Sequence, residues 1–196
     1  MDVIALSEAG FPQTVAPLGT ALTEDQLKLL WRMAPEPILC FDGDAAGRRA
    51  AFRAVETALP HLKPGYSVQF AFLPDGLDPD DFVRQQGHGA FQQILQAKTR
   101  PLIDVLVERE EQGGPTITPE QRASLEARLR ALAGRIGDAG VRAHYERELR
   151  ATLRAKSWKT ERQIAPAGGR RPYTVAGKRR DTLYTCWLPC ATIIPS

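Results

Sequence analysis

No apolar run in the 196 residues approaches the roughly 20 needed to cross a bilayer. Asp2 follows Met1 at once, with neither a basic segment nor an apolar stretch behind it. A membrane span and a secretory signal are excluded, and the chain reads as cytoplasmic. Cysteine is scarce. Cys40 lies inside the apolar run "PILCFD" and reads as a small core residue. Cys186 and Cys190 form a Cys-x-x-x-Cys pair, too few ligands for zinc, so no zinc is expected. Positive charge is also missing from the body. From Lys159 onward seven Lys/Arg face two Asp/Glu, which leaves 19 basic and 21 acidic residues before it. The formal net charge of +3 therefore comes from the tail. Nothing in the body's overall field advertises a nucleic acid, and such a partner has to be argued from a site. No internal repeat is present.

What is there suffices for one core with a small helical appendage, since 43% of the residues are hydrophobic. The first 98 residues alternate helical and extended patterns. "MDVIALSEAGF" predicts a helix stopping at Gly10, and "QTVAPLG" a short extended run. "TEDQLKLLWRM" opens with Thr23 as an N-cap and sets Leu27, Leu30 and Trp31 at helical spacing. "PILCFD" reads as a buried parallel strand. "AAGRRAAFRAVETALPHL" puts Phe52, Val55, Leu59 and Leu62 on one helical stripe ended by Pro64-Gly65. "YSVQFAFL" is the next strand, and "DPDDFVRQQG" and "GAFQQILQA" are short helices. This order predicts an α/β layer with a parallel sheet over residues 1–98.

Residues 99–158 change to a helical subdomain. "PLIDVLVEREE" is amphipathic and ends at Gly113-Gly114. Thr118 to Gln121, "TPEQ", form a capping box with proline at the first helical position. Leu125, Leu129, Leu132 and Ile136 follow at helical spacing, as do Val141, Tyr145, Leu149 and Leu153 after "GDAG". From Lys159 the pattern dissolves, and residues 159–196 read as a disordered basic tail. Its end, "CWLPCATIIPS", is apolar in the way a frameshifted or artificial extension would be.

The chemistry concentrates in "CFDGDAAGRRAA". Asp42 and Asp44 flank Gly43 where a buried strand gives way to a helix, the end of an open α/β sheet at which ligands bind. Two adjacent carboxylates repel unless a cation neutralises them, and Mg²⁺ takes oxygen ligands, often one or two carboxylates. Gly43 allows a tight turn, and Arg48 and Arg49 follow where phosphate oxygens could be met. "LPDGLDPDDF" repeats the pattern at the end of the next strand, with Asp78 and Asp80 around Pro79. Two such strand ends can converge on one metal cluster suited to phosphoryl transfer. The competing readings are ordinary: Asp42 as a helix cap, and Asp75 and Asp78 as turn and cap residues.

"MDVIALSEAGFPQTVAPLGTALTEDQ", "ILCFDGDAAGRRAAFRA" and "FLPDGLDPDDFVRQQG" together resemble the catalytic core of bacterial DNA primases, which has the Toprim fold. The match runs in order over residues 1–100, and the stretch to Trp158 resembles the helical end of that core. The resemblance implies an RNA polymerase that lays short primers on single-stranded DNA from ribonucleoside triphosphates. It implies Mg²⁺, with Mn²⁺ as a substitute, held by Asp42 and Asp44 with Asp78 and Asp80 contributing. It places Asp2, Gly19, Thr20 and Arg48 near substrate phosphates. The implied partners are the DNA template and a replicative helicase, and the chain itself is expected to be a monomer.

Departures accompany the match. The family's first Toprim strand ends in Glu-Gly-Tyr-Met-Asp, and this chain opens at the Met-Asp of that motif. The glutamate, its strand, the family's zinc-binding domain, the basic segment before the Toprim fold and the helicase-binding domain are not recognisable. The expectation is a partial Toprim fold with an unpaired sheet edge and a chain that makes no primers alone. Two other readings remain. One is a non-catalytic binding module whose Arg170-Arg171 and Lys178-Arg179-Arg180 hold phosphates. The other is a different Toprim enzyme, a topoisomerase or nuclease, against which "PDGLDPDDFVRQQG" speaks.

Overall fold

A computed structural model describes residues 2–16, 21–74, 76–111 and 118–164. In chain order the elements are α1 (Asp2–Glu8), α2 (Glu24–Met33), β1 (Ile38–Phe41), α3 (Ala45–Ala58), β2 (Gln69–Phe72), α4 (Pro79–Ala97), β3 (Arg100–Pro101), α5 (Leu102–Glu111), α6 (Pro119–Ala133) and α7 (Ala139–Ile164). None of the described helices is long and apolar enough to cross a membrane.

Alternation along two short strands builds the centre. β1 and β2 pair in parallel, with Leu39 opposite Phe70 and Cys40 opposite Ala71. Side chains on successive strand residues point to opposite faces. Leu39 and Phe70, with the partly buried Phe41 and Phe72, therefore join the core shared with Leu27 and Trp31 of α2, Ala51 and Val55 of α3, and Val105 and Leu106 of α5. Ile38, Ala71 and Leu73, with Cys40, join the other core, shared with Leu6 of α1 and Phe82, Phe91 and Ile94 of α4. A sheet covered on both faces needs apolar residues at every position, which is why "ILCF" and "QFAF" read as nearly continuous apolar runs.

The strands were expected to be parallel throughout, and β3 departs from this. It is antiparallel to β2, with Phe70 opposite Arg100 and Gln69 opposite Pro101. Two residues carry no period, and one is a proline, which lacks the donor of a central strand and fits at the edge where β3 lies. Among the described residues β1 pairs in the sheet with β2. "QTVAPLG" forms no strand among its described residues, where Thr14 makes only a single bridge.

Helix ends follow local signals. α1 stops in a Schellman arrangement: the Phe11 N–H donates to Leu6 (2.8 Å) and the Gly10 N–H to Ser7 (3.1 Å), with Gly10 at φ +95°. Thr23 caps α2 and Thr118 caps α6, each in a full capping box with Gln26 or Gln121. α3 ends earlier than Pro64-Gly65, at Ala58, and a 3₁₀ turn carries Leu59 to His61. α4 holds both expected short helices, separated by Gly87 at φ +79°.

Past residue 98 the core does not break. α5 lies on the sheet beside α3, and Leu125, Leu129, Ala133, Ile136 and Leu149 of the α6–α7 hairpin extend the same cluster. The turn of that hairpin docks below the amino ends of the strands. The Arg135 guanidinium donates to the Glu56 carbonyl at 3.4 Å. Tyr145 packs against Ser67 and near Glu36, and burial pushes its phenol up to about 12. Trp31 Nε1 donates to the Ser67 carbonyl at 2.8 Å from the same region. α7 runs on to Ile164, past the expected loss of order at Lys159. Residues 159–164 hold no glycine or proline to interrupt it. Cys186, Cys190 and the basic runs of the tail lie outside the described residues.

Candidate metal and phosphate site

β1 delivers its last residue, Phe41, to the carboxyl end of the sheet, and the chain must turn at once into α3. Asp42 is exposed there, Gly43 is buried and Asp44 is exposed. Asp44, with φ −74° and ψ 176°, is the N-cap of α3, and its Oδ1 accepts the Gly47 N–H at 2.6 Å. The cap thus falls on Asp44, whereas the ordinary reading of the sequence put it on Asp42. Gly47 lets the turn close, because a Cβ there would lie 2.1 Å from the Asp42 carbonyl oxygen. The first turn of α3 is laid directly against the Asp42 backbone. The amino end of α3, the positive end of its dipole, is thus capped by the Asp44 carboxylate.

One turn further, Arg48 is held from two sides. Its Nη1 donates to Glu108 Oε1 of α5 at 2.6 Å, and its guanidinium lies 5.7 Å from the centre of the Phe72 ring at the end of β2. The second Glu108 oxygen takes Arg100 of β3. Arg49 is exposed.

The second acidic pair leaves the neighbouring strand. Leu73 continues the ladder by donating to the Phe41 carbonyl at 3.0 Å, and Gly76 turns the chain at φ +80°. Asp78 then caps α4, accepting the Asp81 N–H at 2.7 Å. Asp80, in the first turn, pairs with Arg84 at 2.6 Å. Both pairs thus stand at the carboxyl ends of adjacent parallel strands. Among the described residues, however, no group of three or more His, Cys, Asp or Glu side chains comes together to hold a metal ion. The single four-carboxylate cluster imagined from the sequence is not formed. Asp75, Gly19, Thr20 and the Asp2 side chain lie outside what is described.

The donor set at Asp42 and Asp44 is all oxygen. It suits a hard cation that takes one or two carboxylates and completes its shell with water and phosphate, as Mg²⁺ does. One Asp44 oxygen is engaged by an amide, which orients the carboxylate.

A Toprim domain model matches residues 1–72. A DNA primase of Pasteurella multocida is 53% identical over 96 residues. A DNA primase domain from Pseudomonas aeruginosa superposes on 83% of the chain with a TM-score of 0.72 and 37% identity. The chain is similar to a stretch of the catalytic core of bacterial DNA primases. A further primase catalytic domain, solved bound to single-stranded DNA, covers 76% of the chain with a TM-score of 0.70 and 40% identity. The primases are longer than the part matched: the chain spans 16% of the Pasteurella protein and 50% of the Pseudomonas domain.

Sequence reasoning missed Glu108, Arg100 and Phe72. Glu108 is 60 residues from the arginine it holds, and no local pattern announces it.

Proposed function

We propose that the chain supplies the metal-binding half of a nucleotidyl-transfer site that makes RNA primers on a single-stranded DNA template. The observation that carries this reading is the turn after β1, where Asp42 and Asp44 stand together against the first turn of α3. Asp42 and Asp44 would hold Mg²⁺ or Mn²⁺, and Asp78 and Asp80 form a separate acidic turn at the end of the next strand. When bound, the cation supplies charge neutralisation for a triphosphate and for the attacking hydroxyl. The reaction class is attack of a primer 3′-hydroxyl on the α-phosphorus of a ribonucleoside triphosphate, forming a phosphodiester and releasing pyrophosphate. Asp44 orients its free oxygen through its bond to the Gly47 N–H, and Arg48 meets phosphate oxygens from one turn along α3. A primase domain solved with single-stranded DNA supports that template as the partner.

Mn²⁺ titration of the purified chain, followed by electron paramagnetic resonance, tests the site. Asp42→Asn and Asp44→Asn each weaken Mn²⁺ binding about tenfold or more. Asparagine caps a helix as well as aspartate, so Asp44→Asn leaves the fold intact. Unchanged Mn²⁺ affinity in both variants overturns the metal site.

A further inference from the structure

We infer that Glu108 is a positioning residue, which holds Arg48 so that its guanidinium faces the phosphates of a nucleoside triphosphate bound at Asp42 and Asp44. The inference rests on the metal and phosphate reading of that turn and adds to it a residue from a distant element.

Three contacts fix the arginine. The backbone places it in the first turn of α3, four residues after the Asp44 cap. Glu108 Oε1 accepts from Nη1 at 2.6 Å, and the Phe72 ring lies 5.7 Å away. Glu108 is itself held, because its other oxygen takes Arg100, whose Nη2 lies 3.4 Å from the Asp104 carbonyl. Two guanidinium groups thus share one carboxylate, which leaves a surplus of one positive charge in this trio. The Arg48 side chain is 44% exposed while that of Glu108 is 26% exposed, so the arginine keeps a solvent-facing side. A guanidinium has five N–H donors, and Glu108 uses one of those on Arg48. The remainder can meet phosphate oxygens without breaking the ion pair.

A free arginine must be ordered when it binds phosphate, and that ordering weakens affinity several-fold for each long side chain. Glu108 and Phe72 hold Arg48 in place beforehand. The bare Coulomb effect of Glu108 runs the other way, since a carboxylate repels a polyanion. The sign of its removal therefore separates positioning from simple charge.

The test is calorimetric titration of ATP with Mn²⁺ into the full chain and into Glu108→Gln, Arg48→Ala and the double variant. Glu108→Gln is expected to raise the ATP Kd about fivefold. Arg48→Ala is expected to raise it about tenfold, and the double variant no further than Arg48→Ala alone. Mn²⁺ affinity without ATP stays unchanged in all three, a result that a general loosening of α3 would not give. Phe72→Leu removes the ring without altering charge; it is expected to raise the Kd about twofold, and only while Arg48 is present. It stands in if Glu108→Gln fails to fold. Unchanged or tighter ATP binding by Glu108→Gln, or effects that multiply in the double variant, overturns the role of Glu108 and leaves the metal reading standing. A wild-type chain that binds Mn²⁺ but not ATP overturns the Glu108 role together with the phosphate reading. Loss of Mn²⁺ binding from the wild type overturns the whole site.

Discussion

An alanine at Gly47 would place its Cβ 2.1 Å from the Asp42 carbonyl oxygen and 2.9 Å from the carbonyl carbon. Non-bonded carbon contacts settle near 3.5 Å, so the start of α3 and Asp42 must part by more than about 1 Å. The obstacle is backbone, which cannot swing aside as a side chain can. Overpacking of this kind costs about 1–3 kcal/mol. The same shift strains the 2.6 Å bond from the Gly47 N–H to Asp44, a cap contributing about 1 kcal/mol. Against these stands the helical preference of alanine over glycine, about 1 kcal/mol. The net loss is about 2 kcal/mol, or about 4–8 °C in Tm for a chain of this size. Mn²⁺ affinity should fall with it, because the shift moves both carboxylates. Urea unfolding followed by far-ultraviolet circular dichroism, with a parallel Mn²⁺ titration, reads both effects. Gly89→Ala is the control, in α4 with nothing within 4 Å and an ordinary φ. It should stabilise by about 0.4–1 kcal/mol. A Gly47→Ala chain with the wild-type midpoint and wild-type Mn²⁺ affinity refutes the packing of α3 on Asp42 and, with it, the description of the site.

Two further outcomes follow from packing. Burial holds the Tyr145 phenol up to about 12, above its ordinary 10.0, so the folded chain keeps a proton that the unfolded chain loses as pH rises past 10. Stability falls between these values, by at most about 2–3 kcal/mol from this group; Tyr145→Phe should show a shallower alkaline decline in urea midpoint, and parallel declines would show that the hydroxyl is not buried against the strand ends. Gly87→Ala should cost about 1 kcal/mol in urea unfolding although nothing crowds the position, because φ is +79° there, and Gly87→Asn should cost less. A stabilising Gly87→Ala would mean that α4 runs straight through.

Much of the scaffold was legible because its signals are local. The capping box at Thr118–Gln121 and the cap at Thr23 lie within one turn of what they control. The stripe of Phe52, Val55, Leu59 and Leu62 predicts one buried helix face, and all four are buried, although the 3₁₀ turn at Pro60 supplies the last part of it. β3 was invisible because two residues with a proline carry no period. Helix at residues 159–164 was missed because loss of apolar pattern is not loss of helix.

The acidic turns were equally legible as pairs, and their sites at strand ends follow from element order alone. Which aspartate caps α3 was not, since Asp42 and Asp44 are both suitable residues and only the path of the chain, closing through Gly47, assigns the bond to Asp44.

By itself the sequence determined the order of elements, the two carboxylate pairs and the doubly covered strands, because caps, turns and apolar periods act over a few residues. Only the tertiary structure decided what those residues face. It brought α5 across the expected boundary into the common core and set Glu108 between Arg48 and Arg100. It also kept the acidic residues from gathering into one cluster among those described. Contacts between elements depend on how whole helices pack on the sheet, and no short pattern encodes a partner 60 residues away.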